Sequence, residues 1–315
     1  MKRQAARVLA ITVALLVAAA AFLSWQLTRP GGPTPARAIV GQARCHYVGV
    51  ALTFQSQDHL IAFEHDTRFH PGIVANAEPF GQPFPSSWAR TLLAHGILPL
   101  ILLNPRQVTL GAIAHGRYDG RYLSQYAAAV RALDAPVALA FGNEMNGSWN
   151  PWGYRNASPG AFVAAWRHIH QVFAAVGARK VIWVWTVARI RGTPGDRRVA
   201  PGPRPWWPGG AYVDWVGLDI YYVSPGVTFR RAFVPTITAV RRFTGDPILI
   251  TRTAVPNESG QARQIADLFA GARASHLLGL IWYDQNGSQT WRLDESRPAA
   301  IAAFRRGAAG MLASR

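Results

Sequence analysis

The chain has 315 residues, half of them hydrophobic, with 33 basic against 16 acidic side chains and a formal net charge of +17. That length holds one large barrel or two ordinary domains around a substantial core, and the single cysteine, Cys45, excludes an internal disulfide. The charge alone would suggest nucleic acid, yet Lys2 and Lys180 are the two lysines and no basic motif or basic helix face is present, so no nucleic-acid partner is expected. An acidic polysaccharide or an anionic membrane surface makes better use of the excess.

The chain opens with Lys2, Arg3 and Arg7, followed by an apolar run over residues 8–27 broken by Thr12, Ser24 and Gln26. Such a run is a signal peptide or an uncleaved anchor. Its apolar residues continue through Phe22, Leu23, Trp25 and Leu27, which gives roughly the 20 residues a bilayer span needs and favours the anchor. Positive charge ahead of the segment keeps the amino end in the cytoplasm and sends the rest outward, so the body is expected to be extracytoplasmic, membrane-anchored or secreted if cleaved. Residues 28–44 are rich in Pro and Gly and read as a tether, leaving 45–315 for the folded domain. Cys45 reads as a small buried hydrophobe beside the first strand.

Short apolar runs then alternate with amphipathic stretches at a spacing of roughly thirty residues, the pattern of strands wrapped by helices. Eight strands are predicted, at 47–52, 72–77, 97–103, 136–142, 180–187, 213–221, 247–253 and 278–283. Helices are predicted at 86–95, 123–133, 159–176, 230–243, 259–275 and 297–312, two of them with Pro159 and Pro298 near their starts, where a missing amide donor costs little. Eight such units make an α/β fold of the (β/α)8, or TIM barrel, type, in which chemistry gathers at the carboxyl ends of the strands.

Read at those ends, Glu144 closes the fourth strand in the run Gly142-Asn143-Glu144-Met145-Asn146-Gly147-Ser148-Trp149, Asp219 lies in the sixth, with Tyr221 and Tyr222 after it, and Trp282 and Asp284 close the eighth. Trp149, Trp152 and Tyr154 follow Glu144, while Trp206 and Trp207 lie on the long loop after the fifth strand. A carboxylate among exposed aromatic rings suits a glycan, because ring faces stack on the C–H faces of sugars. His168 and His170, two apart on a helix, face different ways, and no metal site or cofactor is expected.

From about Tyr47 to Arg306 the chain resembles glycoside hydrolase family 26, the retaining β-mannanases and related β-glucanases. The resemblance is carried by Tyr47-Val48-Gly49-Val50, by Gly116-Arg117-Tyr118-Asp119, by the run from Glu144 through Asn150-Pro151-Trp152-Gly153, by Trp183-Val184-Trp185, by Val213-Asp214-Trp215-Val216-Gly217-Leu218-Asp219-Ile220-Tyr221, and by Ile281-Trp282-Tyr283. It implies that Glu144 is the general acid/base, that Trp282 floors the subsite of the attacked sugar, that Tyr221 orients the nucleophile, and that Asn143, Trp149, Trp152, Trp185 and Asp219 contact a β-linked polysaccharide. The nucleophile should be a second carboxylate ending the seventh strand, but the chain reads Arg252-Thr253-Ala254 there. Further departures are Asn143 for a usual histidine, Ala140 for an arginine, Thr186-Val187-Ala188 for a Ser-Pro-Asn turn, and Leu103-Asn104 without the usual aromatic.

A guanidinium stays protonated and cannot be that nucleophile, and within ion-pair reach it should keep Glu144 ionised. Three readings follow. The site binds a β-linked, possibly acidic, glycan as a pseudoenzyme; or it hydrolyses with a relocated base, for which Asp219, Asp284 or Glu258 would have to serve; or the barrel is a scaffold in polysaccharide synthesis or export. Arg189, Arg191, Arg197, Arg198 and Arg204 crowd the loop after the fifth strand, where arginines pair with carboxylates in a bidentate way. The oligomeric state is not legible.

Overall fold

The structure is a computed structural model that describes residues 47–52, 55–190, 200–286, 290–293 and 295–313. The expected signal or anchor, the tether, Cys45, Arg191, Arg197 and Arg198 lie outside the described residues. Among those described, no helix is long and apolar enough to cross a membrane.

All eight predicted strands are present, as β1 (Tyr47–Ala51), β2 (Ile73–Pro79), β3 (Leu98–Asn104), β4 (Val137–Phe141), β5 (Val181–Ala188), β6 (Trp215–Asp219), β7 (Ile248–Thr253) and β8 (Gly279–Tyr283). They pair in parallel, in sequence order, and close when β8 joins β1 with Tyr47 opposite Gly279 and Ala51 opposite Tyr283. Their continuous apolar sequences follow from burial on both faces. The inner face carries Ile73, Leu100, Leu102, Ile182, Val184, Leu249 and Ile281, with Ala51, Ala75, Ala138 and Ala140 leaving room for the bulk of Trp215. Gly279 sits at φ 148, and a Cβ there would lie 1.7 Å from the Tyr47 carbonyl oxygen, so only glycine lets β8 approach β1 at the seam.

The outer layer comprises α1 (Gln57–Thr67), α2 (Ser86–Ala94), α3 (Leu110–Ala114), α4 (Ser124–Leu133), α5 (Pro159–Val176), α6 (Phe229–Ala232), α7 (Val234–Arg241), α8 (Gln261–Ala274) and α9 (Pro298–Ala313). The longest, α5, shows how sequence sets an element. The Ser158 hydroxyl accepts from the Ala161 amide, Pro159 opens the first turn, and Gly177 ends the helix at φ 82. Its Phe162, Trp166, Ile169 and Phe173, three and four residues apart, form one buried face, with Phe173 meeting Trp183 of β5 at 5.2 Å.

Two expectations are corrected. The sequence reading omits the five-residue α3 and also α1, whose weakly patterned sequence buries only Phe63 and Thr67; the start of α1 is fixed by the Ser56 cap on the His59 amide. The single helix expected over 230–243 is two, α6 and α7, because Pro235 brings no amide donor and begins a new first turn.

Gly217 is the interior position that ties packing to the barrel mouth. A Cβ there would come within 2.3 Å of the Thr186 hydroxyl and 2.9 Å of Thr251, which itself bonds Asp219. Gly217→Ala is expected to destabilise the barrel by about 1–3 kcal/mol through overpacking, checked as a lower denaturation midpoint with unchanged slope.

Candidate functional site

The carboxyl ends of the strands form a mouth in which β4, β6 and β7 deliver their charged residues to one point. Glu144 follows β4 in a left-handed backbone conformation, φ 57, which a non-glycine residue adopts only where its surroundings hold it. Its amide donates to the Thr186 carbonyl at 3.0 Å and its carbonyl accepts from Gly147 at 2.8 Å. Asn146 fastens the same turn to the end of β5, accepting from the Ala188 amide at 2.8 Å and donating to the Ala188 and Pro201 carbonyls. Glu144 is therefore aimed by backbone bonds to β5 and not by chance rotamer choice.

Arg252 reaches the same point from β7. The pairing of β7 with both neighbours shifts register close to this residue, between Leu218 and Asp219 on one side and between Ile250 and Thr253 on the other. Such a bulge re-aims side chains, and Thr251 and Arg252 both turn toward Asp219. The Arg252 Nε donates to Asp219 Oδ2 at 2.9 Å, and its Nη2 donates both to that oxygen and, at 3.1 Å, to Glu144 Oε1. One guanidinium nitrogen thus bridges two carboxylates. Asp219 also accepts from Thr251 Oγ1 at 2.7 Å and from Asn143 Nδ2 at 3.3 Å, and its side chain is fully buried.

The aromatic residues sort into two groups. Trp149 donates its indole N–H to Glu144 Oε2, and Tyr221 stands beside the charged group in edge contact with Tyr283, 5.6 Å away, and tilted on Trp291 at 5.5 Å. Trp152, Trp185 and Trp282 do not face the mouth, contrary to expectation. Each is buried and each donates its indole N–H to a loop carbonyl: Trp152 to Asn143 at 2.9 Å, Trp185 to Trp206 at 3.1 Å, and Trp282 to Trp291 at 3.0 Å. Strand alternation decides this for the two in strands. Ile281 and Val184 point inward, so Trp282 and Trp185 point outward, where Trp282 packs edge-on against Phe304 of α9 and Trp185 against Trp207. Their work is to hold the loops. Sequence reading missed Tyr283 as a wall residue and Trp291 as the buried ring behind Tyr221, although the alternation from Ile281 to Tyr283 was available to find the first.

The proposed alternative bases are also placed. Asp284 is buried at the rim, bonded by His59 Nε2 at 2.9 Å and by the Leu293 amide at 2.6 Å, and Glu258 is exposed on the loop before α8. Asp219 accepts three hydrogen bonds at Oδ2 and one at Oδ1, and its fully buried side chain offers no surface to a water or a sugar. In the arginine-rich loop Arg189 is buried and Arg204 exposed. Buried acceptors at the mouth remain without a partner among the described residues, namely Asn104 Oδ1, Asn143 Oδ1 and Thr186 Oγ1.

Electrostatics reverse the expected state of Glu144. Burial drives its carboxyl up to about 7, Arg252 and the Trp149 N–H oppose the rise, and Asp219 adds to it. Desolvation therefore outweighs the arginine, whose positive charge is shared with a permanently paired aspartate. Burial alone would lower Arg252, but Asp219, Tyr221 and Glu144 together hold it well above its ordinary range. Tyr221 and Tyr283 are both raised, chiefly by burial.

Comparison with known proteins bears out the resemblance read in the sequence. Residues 115–242 match the model of Glycosyl hydrolase family 26, a span that includes the Glu144 turn and β6. The chain is 28% identical over 237 residues to Endoglucanase H of Acetivibrio thermocellus, covering 70% of this chain and 25% of that protein. It is 31% identical over 156 residues to a Beta-1,3-xylanase of a Vibrio species, covering 48% and 30%. The chain thus spans less than a third of these relatives. Among solved structures, a GH26 beta-mannanase from Bacteroides ovatus superposes with a TM-score of 0.65 at 13% identity, covering 89% of this chain and 94% of that one, which supports the fold.

A carboxyl whose folded pKa is raised stabilises the fold below its unfolded value of 4.5, and that contribution is lost as pH rises through about 7. The difference in unfolding free energy between the parent and Glu144→Gln is accordingly expected to move against the parent between these two values, read from denaturation series across that window. A flat difference would mean that Glu144 titrates at its ordinary position.

Proposed function

We propose that this chain, with its segment of glycosyl hydrolase family 26 and its (β/α)8 barrel, recognises β-linked glycans of the mannan, glucan or xylan type at the mouth, and that retaining hydrolysis is blocked there. The observation that carries the reading is Arg252 Nη2 bridging Glu144 and Asp219. Retaining hydrolysis needs a free nucleophilic carboxylate about 5 Å from the acid. By the resemblance that group should end β7, where Arg252 stands, and the one carboxylate that shares the point, Asp219, is spent on Arg252, Thr251 and Asn143.

Binding is supported by the rest of the mouth. Trp149, Tyr221 and Tyr283, each partly exposed, give ring surface on which the C–H faces of sugars can stack. The Nε and Nη2 edge of Arg252 is occupied, which removes the main argument for an acidic glycan and favours a neutral one. By the same proposal the barrel works outside the cytoplasmic membrane, tethered by the apolar segment at residues 8–27 or released from it.

A hydrolytic reading is favoured by one observation, the raised Glu144 carboxyl, which at about 7 is what a proton donor requires. The two readings separate in one experiment: purified protein is tested on mannan, mixed-linkage glucan and β-1,3-xylan for reducing-end release and for retardation in affinity electrophoresis. Retardation without release, weakened about tenfold or more by Tyr283→Ala, as the loss of a stacking ring of about 1.5 kcal/mol predicts, is the expected result. Release that Glu144→Gln abolishes would establish hydrolysis and overturn the proposal. Arg252→Glu combined with Asp219→Asn is expected to gain release, since it supplies a carboxylate on β7 and removes the aspartate that would repel it.

A further inference from the structure

The foot of the barrel, opposite the mouth, carries a feature that glycan recognition does not use. A cavity of about 510 Å³ opens between the end of α1 and the second half of α9, lined by Arg68, Arg305 and Arg306 together with Phe69, Leu312 and small alanines. Arg68 is the left-handed cap of α1, φ 51, and Phe69 is fixed by an edge contact with Phe304 at 5.4 Å, so the hollow has a rigid apolar floor under a basic rim. Arg273, from the last turn of α8, comes close to the same helix, its Nη1 lying 3.0 Å from where a Cβ on Gly310 would be.

The rim is uncompensated. No carboxylate lines the cavity and α9 contains none. On α1, Glu64 and Asp66 are engaged by His70 and His65, at 2.6 and 2.7 Å. Among the described residues Arg68, Arg305 and Arg306 have no ion-pair partner, while Leu312 stays 38% exposed on the surface beside them. Three guanidinium groups around an apolar hollow suit an anion that carries hydrocarbon, since arginine is weakly hydrated and binds phosphate in a bidentate way.

Topology puts the chain's entry at the same place. β1 begins at Tyr47 at the foot, and α9 and α1, the helices before and after it around the ring, are the two that frame the cavity. The chain therefore enters the barrel at this end. We propose that the cavity and its arginines form a docking foot for the phosphate headgroups of an anionic membrane, which holds the mouth away from the lipid surface. Charge complementarity and the point of chain entry select a membrane over a soluble polyanion.

The test uses the full chain with Cys45→Ser and an environment-sensitive fluorophore on Ala313→Cys, at the exposed end of α9. Vesicles of phosphatidylcholine alone are compared with vesicles that also contain phosphatidylglycerol, and with inorganic phosphate at matched ionic strength. A blue shift with the anionic vesicles only is expected, with apparent affinity falling about fivefold for each arginine removed. Arg305→Glu with Arg306→Glu should abolish the shift while leaving the thermal unfolding midpoint in place, whereas the equal charge change of Arg230→Glu with Arg231→Glu on α6 should retain it. Equal loss with both pairs would assign the effect to net charge, the same spectrum on both vesicle types would show that the foot does not meet headgroups, and a shift with inorganic phosphate would assign the cavity to a soluble anion. Each of these overturns the proposal.

Discussion

The largely buried guanidinium of Arg252, paired with fully buried Asp219, is the interaction on which the mouth depends. Aimed by the register shifts of β7, it pairs with Asp219 at the end of β6 and touches Glu144 after β4, so three strands converge on one charge. A buried pair of this kind adds little net stability, but breaking it by removing one partner leaves an uncompensated charge that costs about 3–5 kcal/mol. That asymmetry makes the arrangement persistent. It also explains why Glu144, though 3.1 Å from a cation, is the group left with a raised pKa: the cation is already committed, and desolvation acts on what remains.

Around that charge the tryptophans divide the work of shape. Trp152, Trp185 and Trp282 each spend an indole N–H on a loop carbonyl, at Asn143, Trp206 and Trp291. A buried backbone carbonyl must be satisfied, and satisfying it from a rigid bicyclic ring in the outer layer holds the loop in one position. Trp149, Tyr221 and Tyr283 can then present ring surface without backbone motion. The site is preorganised by residues that never face it.

The two ends of the barrel have opposite character. At the centre of the mouth Arg252 is shared between two carboxylates in a largely buried setting, which suits an uncharged, hydroxyl-rich ligand. At the foot three arginines meet no carboxylate among the described residues and border exposed leucine, which suits an anionic, partly apolar one. The same excess of arginine in the composition therefore acts locally in one place, and the +17 formal charge by itself decides neither.

The sequence determined the eight strands, their parallel closure and the place of Glu144, because continuous apolar runs at a steady spacing have few other solutions and a charged residue ending such a run has to sit at a barrel rim. It also determined that the seventh strand ends in arginine. Tertiary structure decided what those residues face. Whether Trp282 or Tyr283 enters the mouth depends on which residue of β8 opposes which of β1, a register set by the closed barrel, and a shift of one residue exchanges the two faces. Whether Glu144 gains or loses a proton depends on the balance of burial against one shared cation, and that balance exists only once β4, β6 and β7 are packed together.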